Sequence, residues 1–323
     1  MPIEEKIRQQ VIPCLAPKIR EAVSCMAENS LKDLEEIRLR LGQPVVLQFM
    51  SYDRFLGFAG EISRDPARGY IVTEEDISRT LAAVSGNSVY AFEEELRRGF
   101  ITIPGGHRVG LAGKTVLDNG QVASMKDFSG LALRIARDLP GCGDQVMKHI
   151  MTADKLPANT LLVSPPRCGK TTILRDIARQ LSNCCGTSGV NVVVVDERSE
   201  IAGCFQGRPQ LDVGIRTDIL DGCPKAEGIM MAIRALAPQV IIADEVGQAK
   251  DVEAIRECLN AGVRIITSAH GSSLKDVARR PVMQDLLQQN SFQTVVVMSR
   301  RKGPGTVDEI ISLDRNGGIT RAG

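Results

Sequence analysis

The stretch that decides the fold is residues 160–172, which read Thr-Leu-Leu-Val-Ser-Pro-Pro-Arg-Cys-Gly-Lys-Thr-Thr. The apolar run Leu161–Val163 predicts a buried strand, and the helical pattern Ile173–Leu181 follows the loop. A strand, a loop ending in Gly-Lys-Thr and a helix form the context of a phosphate-binding loop. In such a loop, backbone N–H groups and the positive end of the helix hold phosphate oxygens.

We expect this loop to bind the phosphates of ATP. Lys170 is expected to reach the β- and γ-phosphates, and the hydroxyl of Thr171 to ligate Mg²⁺. Ser164 stands where the usual pattern G-x-x-x-x-G-K-[ST] has its first glycine, so we expect backbone strain there. The predicted nucleotide-binding residues are Ser164, Pro165, Pro166, Arg167, Cys168, Gly169, Lys170, Thr171 and Thr172.

Two further apolar strands end in acidic residues, and a third ends in a histidine. Asp244 and Glu245 follow the strand 240–243, so Asp244 is predicted to hold Mg²⁺ and Glu245 to orient the attacking water. Glu197 follows the strand 192–195 and competes with Glu245 for the role of base. His270 lies in the segment 267–271 at the end of the strand 263–267 and is expected to contact the γ-phosphate. Ligands of open α/β sheets bind at the carboxyl ends of the strands, where these residues fall.

Two domains are predicted, 1–138 and 139–323, with the linker Leu139–Gly143 between them. After the linker, uniformly apolar runs alternate with helical stretches, which is typical of a mainly parallel sheet covered by helices on both faces. The predicted strands of this second domain are Thr160–Val163, Val192–Val195, Val240–Ala243, Val263–Thr267, Thr294–Met298 and Val307–Leu313, with residues 299–305 as an exposed turn.

The first domain has a mixed α/β pattern. Alternation over 36–41, interrupted by Gly-Gln-Pro and resumed at 45–47, predicts a hairpin. Thr73 is the predicted N-cap of a helix that ends near Gly86. Helical residues are expected over about 3–28, broken near Pro13 and Pro17. Short strands are predicted at Phe100–Ile103, His107–Ala112, Val122–Met125 and Leu131–Ile135.

The composition of the chain argues against several classes of protein, nucleic-acid binders first among them. The chain has 323 residues and a net charge of +1, which argues against a duplex-DNA binder. Aromatic residues are only 3%, which leaves few surfaces on which single-stranded bases could stack, so no nucleic-acid partner is expected. The nine cysteines are odd in number and lack C-x-x-C spacing, as in a reduced cytoplasmic protein. No signal peptide or membrane-spanning run is predicted.

Taken together, these motifs resemble the type II/type IV secretion-ATPase superfamily, whose members are RecA-like motors. The match covers roughly residues 100–313, with Ser164–Thr171 as Walker A box and Asp244–Glu245 as Walker B box. Asp196–Glu200 is similar to the Asp box of that superfamily and His270 to its His box. Within that superfamily, the residues of these boxes resemble most closely those of a family of bacterial sporulation proteins.

The resemblance implies several properties that the residues alone do not give. It implies a hexameric ring in which arginines of the N-terminal domain reach the nucleotide of a neighbouring subunit, and Arg108 and Arg134 match those positions. It also implies a cytoplasmic ATP hydrolase that docks on membrane channel components and energises a channel between two compartments during sporulation.

Three other functions remain open at this point. A RecA-like ATP-driven nucleic-acid motor would show hydrolysis stimulated by DNA. A small-molecule kinase would need a lid rich in arginine, and no such segment follows the strand 240–243. A non-catalytic nucleotide-binding scaffold is compatible with Ser164 in place of glycine.

Overall fold

The chain forms two compact units, Met1–Arg137 and Asp138–Gly323, called unit 1 and unit 2. The computed structural model describes residues 1–86, 93–183, 189–313 and 319–322. Two of the cysteines, Cys184 and Cys185, lie outside the described residues, and the others are free thiols.

Unit 1 is built on a seven-stranded antiparallel sheet. Its strands are β1 (Leu34–Arg40), β2 (Val46–Phe49), β3 (Asp53–Leu56), β4 (Ile62–Ser63), β5 (Phe100–Ile103), β6 (His107–Asp118) and β7 (Gln121–Arg134). Across the sheet they follow the order β4-β3-β2-β1-β7-β6-β5. The predicted hairpin is the pair β1–β2, with Ile37 opposite Leu47.

Strand β7 corrects the sequence-based prediction of two separate strands at 122–125 and 131–135. Residues 121–134 form one continuous strand because they pair with β6 along nearly its whole length. The pairing slips between Ala112 and Lys114 and between Val116 and Leu117. Such bulges take up the irregularity that breaks the alternation in the sequence.

The helices of unit 1 are α1 (Ile3–Lys6), α2 (Pro17–Ser24), α3 (Glu28–Asp33), α4 (Glu74–Val84) and α5 (Glu93–Arg98). Thr73 caps α4 as predicted: its hydroxyl accepts the N–H of Asp76, and the Asp76 carboxylate accepts the N–H of Thr73. A buried tyrosine, Tyr70, also donates to Asp76 at 2.9 Å. The cap therefore fixes both the start of α4 and the position of Tyr70 in the segment before it.

One face of this sheet is buried and the other is open. Ile37 and Leu39 of β1 are fully buried in an aliphatic core, whereas Arg38 and Arg40 alternate onto the other face. On that open face, Glu36, Arg134 and Arg108 lie in one cross-strand row on β1, β7 and β6.

Unit 2 is built on an eight-stranded sheet. Its strands are β8 (Thr160–Ser164), β9 (Val192–Asp196), β10 (Thr217–Asp221), β11 (Val240–Ala243), β12 (Arg264–His270), β13 (Thr294–Ser299), β14 (Thr306–Leu313) and β15 (Ile319–Ala322). The order is β10-β9-β11-β12-β8-β13-β14-β15, parallel from β10 to β13 and antiparallel over the last two strands.

Helices cover both faces of this sheet. They are α6 (Asp144–Ile150), α7 (Lys170–Ser182), α8 (Lys225–Ala235), α9 (Ala249–Asn260), α10 (Leu274–Ala278) and α11 (Pro281–Gln288). Strand β8 shows why its sequence is uniformly apolar. Leu162 packs into the core that holds α6 and α7, whereas Leu161 and Val163 pack into the core that holds α8, α9 and α11.

Strands β10 and β15 of this sheet were not predicted from the sequence. Strand β10 was missed because it is an edge strand, and its acidic residues Asp218 and Asp221 are exposed. The predicted strand 307–313 contains Asp308 and Glu309 besides its apolar residues, and it pairs antiparallel with β13, since the turn before it is too short for a crossover. No helix in the described part of the chain is long and apolar enough to cross a membrane.

Unit 1 contains a buried histidine with a fixed tautomer. The backbone N–H of Ala136 donates to His107 Nδ1 at 3.0 Å, so the ring proton is on Nε2, which faces the Gln10 oxygen at 3.1 Å. Burial, with Lys6 nearby, lowers the pKa of His107 to about 4. Protonation would charge a buried ring and remove the acceptor of Ala136.

We predict that His107 makes unit 1 acid-sensitive. With a folded pKa of about 4 and an unfolded pKa of about 6.5, the histidine binds a proton in the unfolded state first. Its contribution is therefore complete above pH 6.5 and decreases by about 3 kcal/mol as the pH falls to 4. All three tyrosines lie in unit 1, so tyrosine fluorescence during urea unfolding reports on it. His107→Gln should lose about 3 kcal/mol less over this range, and equal losses would contradict the assignment.

Candidate nucleotide site

The candidate site lies at one edge of the sheet of unit 2. Strand β8 lies between β12 and β13 and is parallel to both, so all three end at the same edge. Strands β9 and β11 end at that edge as well. The loops that follow these strands therefore come together beside the N-terminus of α7.

The phosphate loop does not have the strain expected at Ser164. Ser164 is the last residue of β8, in extended backbone, and its hydroxyl donates to the carbonyl of Pro165 at 2.8 Å. Positive φ angles occur further on, at Arg167 (60°) and Gly169 (86°). The expectation was wrong because the turn takes its left-handed geometry from these two residues rather than from the first position.

The remaining loop residues differ in exposure. Pro165 is half-buried, Pro166 and Arg167 are exposed, and Cys168 is buried with its Sγ 3.7 Å from the Pro166 carbonyl. Thr172 lies in the first turn of α7, where its carbonyl accepts the thiol of Cys142 at 3.5 Å.

Helix α7 begins at Lys170 and leaves backbone donors at the loop. The N–H of Ile173 is bonded to the Gly169 carbonyl at 3.0 Å. The N–H groups of Lys170, Thr171 and Thr172 precede it and have no acceptor within the helix. Together with the helix dipole, they provide a surface suited to an anion.

The side chain of Lys170 is buried against the loop that carries it. Its ammonium donates to the Ser164 carbonyl at 3.1 Å and lies 3.2 Å from His270 Nδ1. Burial lowers the pKa of Lys170, while the nearby carboxylates of Asp244 and Glu245 act in the opposite direction. An ammonium held in this way can exchange protein acceptors for phosphate oxygens.

Asp244 follows β11 and meets the first turn of α7. The Thr171 hydroxyl donates to one carboxylate oxygen of Asp244 at 2.8 Å. The hydroxyl of Ser268, on β12, donates to the other oxygen. The two side chains predicted to hold Mg²⁺ are thus in contact, although they are 73 positions apart in the sequence.

Glu245 is held by backbone and side-chain contacts on both sides. Its φ is 50°, and its N–H donates to the Ser268 hydroxyl at 3.1 Å. One carboxylate oxygen lies 2.6 Å from His270 Nε2, and the other lies 3.4 Å from the Arg198 guanidinium. The carboxylate faces the same edge as Lys170.

His270 connects Lys170 to Glu245. An ammonium can only donate, so Nδ1 accepts from Lys170, and the ring proton on Nε2 then faces the Glu245 carboxylate. The histidine is therefore placed to respond when Lys170 changes its partner. The contact of His270 with a γ-phosphate stays a prediction.

Glu197 has a different environment from Glu245. Its carboxylate forms an ion pair with the buried ammonium of Lys225 at 2.9 Å. The preceding residue, Asp196, accepts the N–H groups of Glu200, Ile201 and Ala202, and burial raises its pKa to about 6. Asp196 therefore fixes the loop that carries Glu197 and Arg198.

Three residues of this network were missed in the sequence analysis: Arg198, Lys225 and Ser268. Arg198 directly follows the acidic pair 196–197, and Ser268 lies two residues before His270, so their positions beside predicted residues were the available signal. Lys225 begins α8 and has no motif around it. Its pairing depends on how α8 packs beside β9.

Arg108 and Arg134 lie next to each other on the open face of unit 1. Their strands β6 and β7 pair them directly. The Arg108 guanidinium stacks over the Phe100 ring at 3.7 Å, and Arg134 lies 3.8 Å from Glu36. The Arg134 side chain is 60% exposed, so it can be reached from outside the unit.

Comparisons with known proteins agree with this architecture. The X-ray structure of the Legionella pneumophila ATPase DotB matches with a TM-score of 0.55 at 13% identity, covering 94% of this chain and 78% of that one. The pilus retraction motor PilT with bound ADP matches with a TM-score of 0.53 at 15% identity, covering 94% and 80%. At such identities the likeness establishes the fold alone, a RecA-like ATPase type of α/β fold.

Sequence relatives give the family. Stage III sporulation protein AA of Bacillus subtilis (strain 168) is 41% identical over 310 residues, which cover 95% of this chain and 96% of that protein. The family model described as "Sporulation stage III, protein AA" matches residues 5–319. A match of this extent, on a chain with this fold and these motifs, shows that the chain belongs to the sporulation stage III protein AA family.

Proposed function

We propose that this chain is a Mg²⁺-dependent ATPase, and that its site is the edge of unit 2 where α7 begins. The observation that carries the proposal is the 2.8 Å contact between the Thr171 hydroxyl and the Asp244 carboxylate, beside the ammonium of Lys170. A hydroxyl, a carboxylate and a lysine at a helix N-terminus are the groups that a nucleotide phosphate with its metal requires.

The residues present fit both ligands. Thr171 and Asp244 offer hard oxygen donors that can face one cation, and Mg²⁺ is usually bound by one or two protein oxygens together with water and phosphate oxygens. When bound, Mg²⁺ would neutralise charge on the phosphate oxygens. The N–H groups at the start of α7 and the Lys170 ammonium would hold the polyphosphate.

The contacts of Glu245 favour it as the residue that activates water. Lys170 would leave the Ser164 carbonyl and His270 for the phosphate, which removes the donor from His270 Nδ1. The imidazole could then turn and release one oxygen of Glu245 to orient a water molecule. Glu197, paired with Lys225, would hold the adjacent loop in place.

The arginines of unit 1 would complete the site between subunits. Arg108 and Arg134 are adjacent, outside the core and cationic, as required of groups that stabilise charge on a transferring phosphoryl group from a neighbouring chain. We therefore propose a homo-oligomeric ring of six copies, located in the cytoplasm and docked on membrane channel components of a sporulation complex. Support for this role comes from the family and from the names of the structural neighbours, an ATPase and a motor.

Lys170→Ala should abolish ATP hydrolysis and weaken nucleotide binding. Loss of one preorganised charge at a phosphoryl group costs about 10²–10³ in rate. Phosphate release and ADP binding are the measurements, with thermal unfolding to show that the fold persists. Lys148→Ala, on the outer surface of α6, is the control and should be unchanged. Normal turnover in Lys170→Ala would refute the assignment of the site.

Glu245→Gln should retain bound ATP but stop turnover. The amide fills the same volume and still forms hydrogen bonds, but it cannot accept a proton from water. Glu197→Gln is the matched control and should keep measurable turnover, because it loses an ion pair with Lys225 rather than the base. Single-turnover experiments with both variants decide between the two acids, and the opposite pattern would assign the base to Glu197.

Mixing inactive variants tests completion of the site between subunits. Arg108→Ala or Arg134→Ala protein should each be strongly impaired, since such an arginine contributes about 10³–10⁵ in rate. Mixed with Lys170→Ala protein, each should recover part of the activity, because some interfaces then combine an intact loop with an intact arginine. If no activity is recovered, the site is not completed between subunits. Either the arginines act on the phosphate loop of their own chain, or they have no role in catalysis.

A further inference from the structure

The turn between β13 and β14 contacts the phosphate loop directly. Residues 299–305 are predicted from the sequence only as an exposed turn, but the N–H of Gly305 donates to the Cys168 carbonyl at 2.8 Å. Backbone of the turn also approaches the next residue of the loop: a Cβ added to Gly169 would lie 3.1 Å from the Gly305 nitrogen. A side chain at position 169 would therefore be disfavoured for two reasons. The φ of Gly169 is 86°, and the backbone of the turn lies close to it.

Internal hydrogen bonds keep this turn, defined as residues 299–306, in one conformation. The Thr306 hydroxyl donates to the Gly303 carbonyl at 2.7 Å and accepts the N–H of Lys302 at 3.3 Å. The Ser299 hydroxyl accepts the N–H of Arg301 at 3.1 Å. The bond to Cys168 therefore comes from a preformed turn, anchored at both ends in the sheet, rather than from a loose segment.

This contact determines the direction of a backbone donor in the phosphate loop. In a trans peptide unit, the C=O and the following N–H point in opposite directions. Because the Cys168 carbonyl points to Gly305, the N–H of Gly169 points away from the turn. Fixing one peptide plane in this way removes a rotation that the loop would otherwise have to lose when it binds a phosphate.

We propose that the turn 299–306 is a positioning element that preorganises the phosphate loop for a nucleoside di- or triphosphate. This inference rests on the proposed function, because it concerns the same loop. The turn itself needs no contact with the nucleotide. It acts through the Cys168–Gly169 peptide, in the way that outer hydrogen bonds orient the groups that bind a ligand.

Two glycines of the turn provide a matched test. Gly303 has a φ of 109° and Gly305 a φ of 86°, and a Cβ at either position would meet no atom within 4 Å. Alanine at each position therefore strains the same turn without a clash. At Gly305 the strained residue itself carries the N–H that donates to Cys168, whereas the N–H of Gly303 donates to the Arg300 carbonyl at 3.0 Å.

ADP affinity of the full chain, measured with a fluorescent ADP analogue, should separate the two variants. Gly305→Ala should weaken binding about tenfold, equivalent to about 1.4 kcal/mol. Gly303→Ala should stay within about twofold of wild type, because it carries a comparable strain but its N–H donates to Arg300 and not to the phosphate loop. Unfolding temperatures without nucleotide should be similar for both, so that a general loss of stability would not produce the difference.

A second pair tests the shape of the turn. Thr306→Val removes the hydroxyl that bridges Lys302 and Gly303, whereas Thr306→Ser keeps it. Binding of ADP should weaken in the valine variant and be restored in the serine variant. In wild type, amide hydrogen exchange of residues 299–306 should slow further when ADP is added, because an occupied loop holds the Cys168 carbonyl more firmly.

The outcomes separate this proposal from the function on which it rests. If wild type binds ADP and Gly305→Ala binds it as well as Gly303→Ala does, the turn does not position the loop, and the proposed site stands. If Lys170→Ala binds ADP as well as wild type, the proposed site itself is wrong, and this inference fails with it.

Discussion

The parallel pairing of β8 with both β12 and β13 is the constraint on which the site depends. A central parallel strand has its backbone groups used on both sides, so it cannot shift without breaking two ladders of hydrogen bonds. Its carboxyl end is therefore fixed against His270 on one side and against the turn 299–306 on the other. The phosphate loop begins at that end, and both neighbours of β8 reach it.

Charge within the site is already compensated by the protein. Lys170 is buried, but a carbonyl and an imidazole nitrogen accept its protons, and Asp244 and Glu245 stabilise its positive form. Glu245 in turn lies between His270 and Arg198. A buried charge without such partners would be costly. In the proposed function, a phosphate would exchange partners with these existing groups, and His270 would transmit the change at Lys170 to Glu245.

In unit 1, by contrast, charged side chains lie on an exposed face of the sheet. Its sheet buries one face and leaves the other open, and the open face carries Glu36, Arg38, Arg108 and Arg134. Two of these arginines, Arg38 and Arg134, lie close to the single carboxylate of Glu36, at 2.6 and 3.8 Å. Charges at such exposed positions contribute little to stability. An open face with this excess of arginine is suited to an anionic partner, which is the role proposed for it between subunits.

The sequence by itself determined the parts of this protein that local pattern and burial encode. The uniformly apolar runs gave the central strands, the hairpin and the cap at Thr73 followed from alternation and helix-start chemistry, and Gly-Lys-Thr after a strand located the loop. The tertiary structure decided which distant side chains meet. The partners of Glu245, the pairing of Glu197 with Lys225 and the contact of Gly305 with Cys168 join residues that are 25 to 137 positions apart. The order of the strands in the sheet determines these contacts. That order depends on how the connecting helices cross the sheet, and the periodicity of apolar residues along the chain does not reveal it.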